Sequence, residues 1–110
     1  MYYVYIIRCH DNSLYTGITK DICKQMKEHY YKTKNCAKYT RNRDIISLDA
    51  LWIAEDRSHA SKLEYHIKHL TKQQKEKIIQ TPSLIDSSYI HQIHITLQLC
   101  LDNTTIKYEK

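Results

Sequence analysis

Residues 2–19 read Tyr2-Tyr3-Val4-Tyr5-Ile6-Ile7-Arg8-Cys9, then His10-Asp11-Asn12-Ser13, then Leu14-Tyr15-Thr16-Gly17-Ile18-Thr19. The first block is dense in Tyr, Val and Ile, side chains that pack well on a pleated surface, and it predicts a strand. Apolar side chains occupy both alternating sets, so that strand is expected to be covered on both faces. His10 to Ser13 is a cluster of turn-forming residues, and Leu14 to Gly17 returns as the second arm of a hairpin. Gly17 is the only glycine in the chain. In a sequence that otherwise avoids glycine, it marks a special backbone angle or a close approach.

Moving outward, Thr19 or Asp21 can cap a helix by accepting from free backbone N–H groups. Ile22, Met26 and Tyr30 then recur at the spacing of one helical face. Thr33 to Asp44 is polar and basic and reads as a loop. Ile45 to Ala54 carries enough Ile, Leu and Trp for a third strand. Ala60, Leu63, Ile67 and Leu70 fall in one arc of a helical wheel, predicting a helix over 58–70. Thr71 to Ile79 reads as a short, very basic helix ended by Pro82. In the tail, Ile93, Ile95, Leu97, Leu99 and Leu101 alternate with His94, Thr96, Gln98 and Cys100. That period of two predicts a half-buried strand over 92–101 that extends the sheet, covers the core or pairs with a second copy to form a homodimer. A division into a domain over 1–80 and an extension over 81–110 follows from this change of pattern.

The 110 residues suit one domain with a single core. There are ten Tyr and no Phe, and the formal net charge is +5. A basic surplus favours polyanionic partners, nucleic acid above all. Cys9, Cys23, Cys36 and Cys100 are too widely spaced for a C-x-x-C pair, which argues against a zinc ribbon or thioredoxin-like site. His66 and His69 lie one turn apart, but no fourth ligand follows at zinc spacing. Met1 to Arg8 is too short to span a membrane and lacks the features of a secretory leader, so a cytoplasmic protein with reduced thiols is expected.

Tyr3-Val4-Tyr5-Ile6-Ile7 followed by Leu14-Tyr15-Thr16-Gly17 resembles the paired signatures of the GIY-YIG nuclease superfamily, and in particular its small stand-alone bacterial members. Thr19-Lys20-Asp21 with His29, Lys38-Tyr39-Thr40-Arg41, and Glu64 ahead of Lys68-His69-Leu70-Thr71 and Lys75 follow in the same order. The likeness covers about Met1 to Ile79. It implies an α+β fold, a three-stranded antiparallel sheet flanked by helices, to which the tail would add a strand. It further implies a divalent-metal-dependent endonuclease acting on DNA rather than RNA, single-stranded or branched, with Mg²⁺ or Mn²⁺ as cofactor.

The resemblance assigns Glu64 to the metal, Tyr5 to proton acceptance, Tyr15 to positioning, and His29 to a hydrogen bond with substrate or with Tyr5. From spacing alone, Glu64 is equally a solvated residue or the partner of Ser61 in a Ser-x-x-Glu cap, and both tyrosines are ordinary amphipathic core residues. A free Tyr has a pKa of about 10 and is a poor base near neutrality. Metal and basic neighbours would have to lower it. One position departs from the pattern. The family usually places an Arg four residues before that His, for the scissile phosphate, and this chain has Gln25 there. Gln donates a hydrogen bond but neutralises no charge. Lys24 beside it carries charge but projects about 100° away on a helix. Weakened activity, or a binding module that has lost catalysis, is therefore expected. Lys24, Lys38, Tyr39, Arg41, Arg43, Lys68 and Lys72 are the candidate strand-binding residues, because basic side chains interleaved with an aromatic ring suit a nucleic-acid backbone and its stacked bases.

Overall fold

The computed structural model describes residues 1–33, 38–85 and 87–102. Its centre is a four-stranded antiparallel sheet in the order β2-β1-β3-β4, formed by β1 (Tyr2–Cys9), β2 (Leu14–Thr19), β3 (Ile45–Ala54) and β4 (Ile90–Ile93). The hairpin pairs Tyr5 with Gly17 and Ile7 with Tyr15. Its tight connection places Asn12 at φ 69°, a left-handed conformation that Asn tolerates better than most residues. β3 pairs with the other edge of β1, which explains why β1 is apolar on both sides: it is an inner strand with helices over each face.

One face carries Val4, Ile6, Trp52 and Ala54, packed against Ala60, Leu63 and Ile67 of helix α2 (Arg57–Lys68) and Ile78 of helix α3 (Lys72–Gln80). The opposite face carries Tyr5, Ile7, Cys9 and Leu51, packed against Ile22 and Met26 of helix α1 (Ile22–Tyr31). The β1–β3 register shifts between Ile6 and Ile7. That bulge lets Leu48 and Ala50, two positions apart on β3, serve opposite faces.

The helix starts follow the sequence. Asp21, not Thr19, caps α1 by accepting from the Lys24 N–H at 3.1 Å. Asp56 caps α2 through the His59 N–H at 2.8 Å. Thr71 and Gln74 form a reciprocal capping box on α3. Arg8 ties three elements together, bonding Asp49 of β3 at 2.7 Å and Glu76 of α3 at 2.6 Å.

The tail differs from its expected form. Only Ile90–Ile93 is strand, added to the free edge of β3, and residues Leu97–Asp102 are helix α4. Thr96 switches the chain: its hydroxyl accepts from the Leu99 N–H and its carbonyl from the Cys100 N–H. The helical turn places Leu97, Cys100 and Leu101 at i, i+3 and i+4, and Cys100 becomes fully buried in the same cluster as Ile22 and Met26. Leu99, which the alternation had grouped with Leu97 and Leu101, is left 55% exposed. Burial against α1 thus overrides a period of two. The strand expected over 92–101 therefore does not form as one element: its first residues extend the sheet and its last cover the core.

Candidate active site

Tyr5 and Tyr15 stand on the same face of the hairpin, on the inner and the edge strand. Their ring centroids are 6.4 Å apart. His29, one helical turn beyond Gln25 on α1, closes the group with its ring 5.7 Å from Tyr5 and 5.6 Å from Tyr15, edge-on to both. The Tyr5 hydroxyl and His29 Nε2 are 2.9 Å apart and share one hydrogen-bonded proton. His29 Nδ1 lies 2.8 Å from the Thr40 hydroxyl, so both ring nitrogens are engaged and the imidazole plane is fixed. Thr40, fully buried in the short 3₁₀ turn Lys38–Thr40, is a member of this network that residue-by-residue reading passed over. Its signal was its place inside the Lys-Tyr-Thr-Arg motif.

Gly17 does not adopt a positive φ. Its role is close approach: a Cβ at residue 17 would stand 2.6 Å from the Tyr5 Cζ and nearer still to the hydroxyl. The missing side chain is the space the phenol occupies.

Glu64 comes from the other side of the sheet. α2 lies under β1 and β2, with Glu64 at the flank of its buried stripe. Its charge contributes to raising the pKa of both Tyr5 and Tyr15. Lys68, one turn later, places Nζ 3.3 Å from a Glu64 carboxylate oxygen and 5.9 Å from the Tyr15 ring centroid. Tyr5, Tyr15 and His29, distant in sequence, therefore meet in one cluster, and Glu64 is joined to it through Lys68, which reaches both its carboxylate and the Tyr15 ring.

The electrostatics differ from the expected form. Burial pushes the Tyr5 hydroxyl well above the usual tyrosine range, and the charges of Tyr15, Glu64 and Glu28 add to the effect. Tyr15 is raised by burial and by Glu64, with Lys68 opposing. His29 is driven down to about 4, by burial first and Lys32 second, and is neutral near pH 7.

Gln25 points its amide nitrogen toward His29 Nε2 at 3.3 Å, so the residue standing at the family's Arg position is within the cluster and neutral. Lys24, Lys38, Arg41 and Lys72 are exposed. Arg43 is held in an ion pair with Asp11 at 3.2 Å. The side chain of Tyr39 lies outside the described residues. No group of three or more His, Cys, Asp or Glu side chains is arranged to hold a metal among the described residues. A Mg²⁺-type site needs no such group, because that ion keeps several waters and takes one or two carboxylates plus substrate phosphate. The Glu64 carboxylate, 23% exposed and paired with the Lys68 ammonium, is a hard oxygen donor of the kind such an ion takes. It fits that ion.

Comparison with known proteins agrees with the geometry. The profile of the GIY-YIG catalytic domain matches residues 1–77. The chain is 40% identical over 81 residues to UPF0213 protein FN1575 of Fusobacterium nucleatum, covering 74% of this chain and 79% of that one. It is 40% identical over 96 residues to UPF0213 protein CPE1444 of Clostridium perfringens, covering 86% and 100%. A solution NMR structure of UPF0213 protein BH0048 from Bacillus halodurans is 35% identical, with a TM-score of 0.48, covering 79% of this chain and all of that one. With the paired tyrosine strands and the helical His in one place, and a profile match across most of its length, this chain belongs to the GIY-YIG nuclease superfamily, among the small proteins similar to UPF0213.

Proposed function

We propose that this protein is a divalent-metal-dependent endonuclease that hydrolyses phosphodiester bonds in DNA, with single-stranded or branched substrates preferred. The observation that carries the reading is the cluster of the bonded Tyr5–His29 pair with Tyr15, to which Glu64 is linked through Lys68. Glu64 is the residue that would hold Mg²⁺ or Mn²⁺. When bound there, the cation supplies charge neutralisation at the scissile phosphate and a counter-charge for the phenols. Tyr5 would accept a proton from the attacking water as its own hydroxyl proton passes to His29 Nε2, 2.9 Å away, and His29 keeps the phenol oxygen placed through its contact with Thr40. Tyr15 orients the phosphate beside it. Lys68 and the exposed Lys24, Lys38, Arg41 and Lys72 attract the strand. No helix among the described residues is long and apolar enough to cross a membrane; a cytoplasmic setting belongs to this proposal.

The decisive experiment is a cleavage panel of single-stranded, duplex and branched DNA, with matching RNA, in Mg²⁺, Mn²⁺ or EDTA. Cleavage in both metals and none in EDTA is expected. Retained binding without cleavage in any metal would select a second reading, a binding module that keeps the fold.

Gln25 favours that second reading enough to define its own test. A neutral amide at the phosphate position forfeits charge stabilisation that is commonly worth about a hundredfold or more. Gln25→Arg is expected to raise the single-turnover cleavage rate about ten- to a hundredfold. A rate no higher than that of the unaltered protein would remove residue 25 from the phosphate site.

A further inference from the structure

A second cluster of cations and aromatic carbon lies outside the site just described. Lys20, between β2 and α1, places Nζ 5.4 Å from the centroid of the Tyr2 ring. Arg57, the first residue of α2, places its guanidinium carbon 5.9 Å from the same centroid. The three residues come from separate elements. Lys20 and Arg57 are exposed, Tyr2 is half-buried, and neither cation has a carboxylate within ion-pair distance among the described residues. The nearest acids in sequence are committed elsewhere: Asp21 caps α1, and Asp56 caps α2 and bonds His59.

The position of this cluster is set by the helix. At 100° per residue, Arg57, Ser61, Glu64 and Lys68 fall within about 60° of one another, on the flank of α2 beside the stripe of Ala60, Leu63 and Ile67 that meets the sheet. Arg57 and Lys68 contact the rings of Tyr2 and Tyr15, residues of β1 and β2, so this flank faces the hairpin. Glu64 thus sits on a line with a cation–aromatic contact on each side. From Arg57 to Lys68 the rise is about 16 Å, the length of roughly five stacked nucleotides at about 3.4 Å each. An extended polyanion lying along this flank would pass Glu64 and Lys68 and meet a pair of cations that have no ion-pair partner among the described residues. An aromatic face there offers a base something to stack on, and Arg engages both phosphate and ring.

We infer that Lys20, Tyr2 and Arg57 form a remote anchoring subsite for the same nucleic-acid strand, gripping phosphates on the α2 N-terminal side of the cleavage point. The inference rests on the nucleic-acid reading above and adds a direction to it: the strand runs along α2 and past the β2 edge.

The test is fluorescence anisotropy with a labelled 12-nucleotide oligothymidylate in EDTA, where no cleavage occurs, across a series of salt concentrations. Lys20→Ala, Arg57→Ala and the double substitution are compared with Lys62→Ala, an exposed lysine of α2 projecting about 140° from Arg57. All four replace exposed side chains, and circular dichroism checks that each variant is folded. The double variant is expected to bind at least fivefold more weakly and to lower the slope of log affinity against log salt by about 2. Lys62→Ala is expected to stay within twofold. A double variant within twofold of the unaltered protein, or a Lys62→Ala loss as large as its own, overturns the subsite. If the unaltered protein binds and cleaves while the double variant is unchanged, only this inference falls. If the unaltered protein binds no nucleic acid, the nuclease reading falls with it.

Discussion

Glu64→Gln is expected to lower metal-dependent cleavage by about a thousandfold or more with little change in stability. The rate effect follows from charge. Gln keeps the length and hydrogen-bonding capacity of Glu but cannot hold a hard divalent cation as the lone protein carboxylate. Removing the stabilisation of a phosphoryl transition state that depends on that cation costs about 4 kcal/mol or more, and each 1.4 kcal/mol is about a factor of ten. The small stability effect follows from exposure. The Glu64–Lys68 contact joins side chains 23% and 47% exposed at i,i+4, and such pairs contribute about 0.5 kcal/mol or less. Single-turnover cleavage, calorimetric titration with Mn²⁺ and thermal melting together separate the two effects. Activity within tenfold of the unaltered protein would move the metal away from Glu64.

Gly17→Ala is expected to destabilise the protein by about 2–3 kcal/mol, measured as a lower urea midpoint at constant slope. The sign is diagnostic. In an ordinary strand, Ala in place of Gly stabilises by about 0.5–1 kcal/mol, because the unfolded chain loses freedom. Here the new methyl would overlap the Tyr5 ring, 2.6 Å from Cζ. Tyr5 is 2% exposed and bonded to His29, so it has nowhere to swing without opening the core, and such overpacking typically costs about 1–3 kcal/mol. The same displacement breaks the 2.9 Å contact to His29, so cleavage is expected to fall along with stability. A Gly17→Ala protein as stable as the original would mean that Tyr5 can yield, and that the glycine is not there to make room for it.

The hairpin, the third strand and the helices α1 to α3 were legible in the chain because each rests on local rules: apolar repeats at two or 3.6, capping residues, and Pro82 after α3. Ordered motifs also marked which residues belong together, since a family likeness carries contact information that periodicity lacks.

Three matters lay beyond local reading. The tail from Ile93 to Leu101 satisfies a strand pattern, yet the space over α1 made Leu97–Asp102 a helix. Gly17 was evidently special, but either of two reasons fitted until the pairing register set it opposite Tyr5. Metal and basic neighbours were expected to ease the ionisation of Tyr5; the chain's own contribution is burial, which raises its pKa, with the charges of Tyr15, Glu64 and Glu28 adding to it.

What the sequence determined by itself is the set of elements and the chemical types at the site, because these depend on side chains a few positions apart. What the tertiary structure decided is which faces meet: α1 and α2 cover opposite sides of one sheet, and Lys68 of α2 reaches from its side to both Glu64 and the Tyr15 ring. That meeting, and the line from Arg57 to Lys68 that passes through it, arise from packing between segments far apart in the chain, where sequence spacing carries no distance.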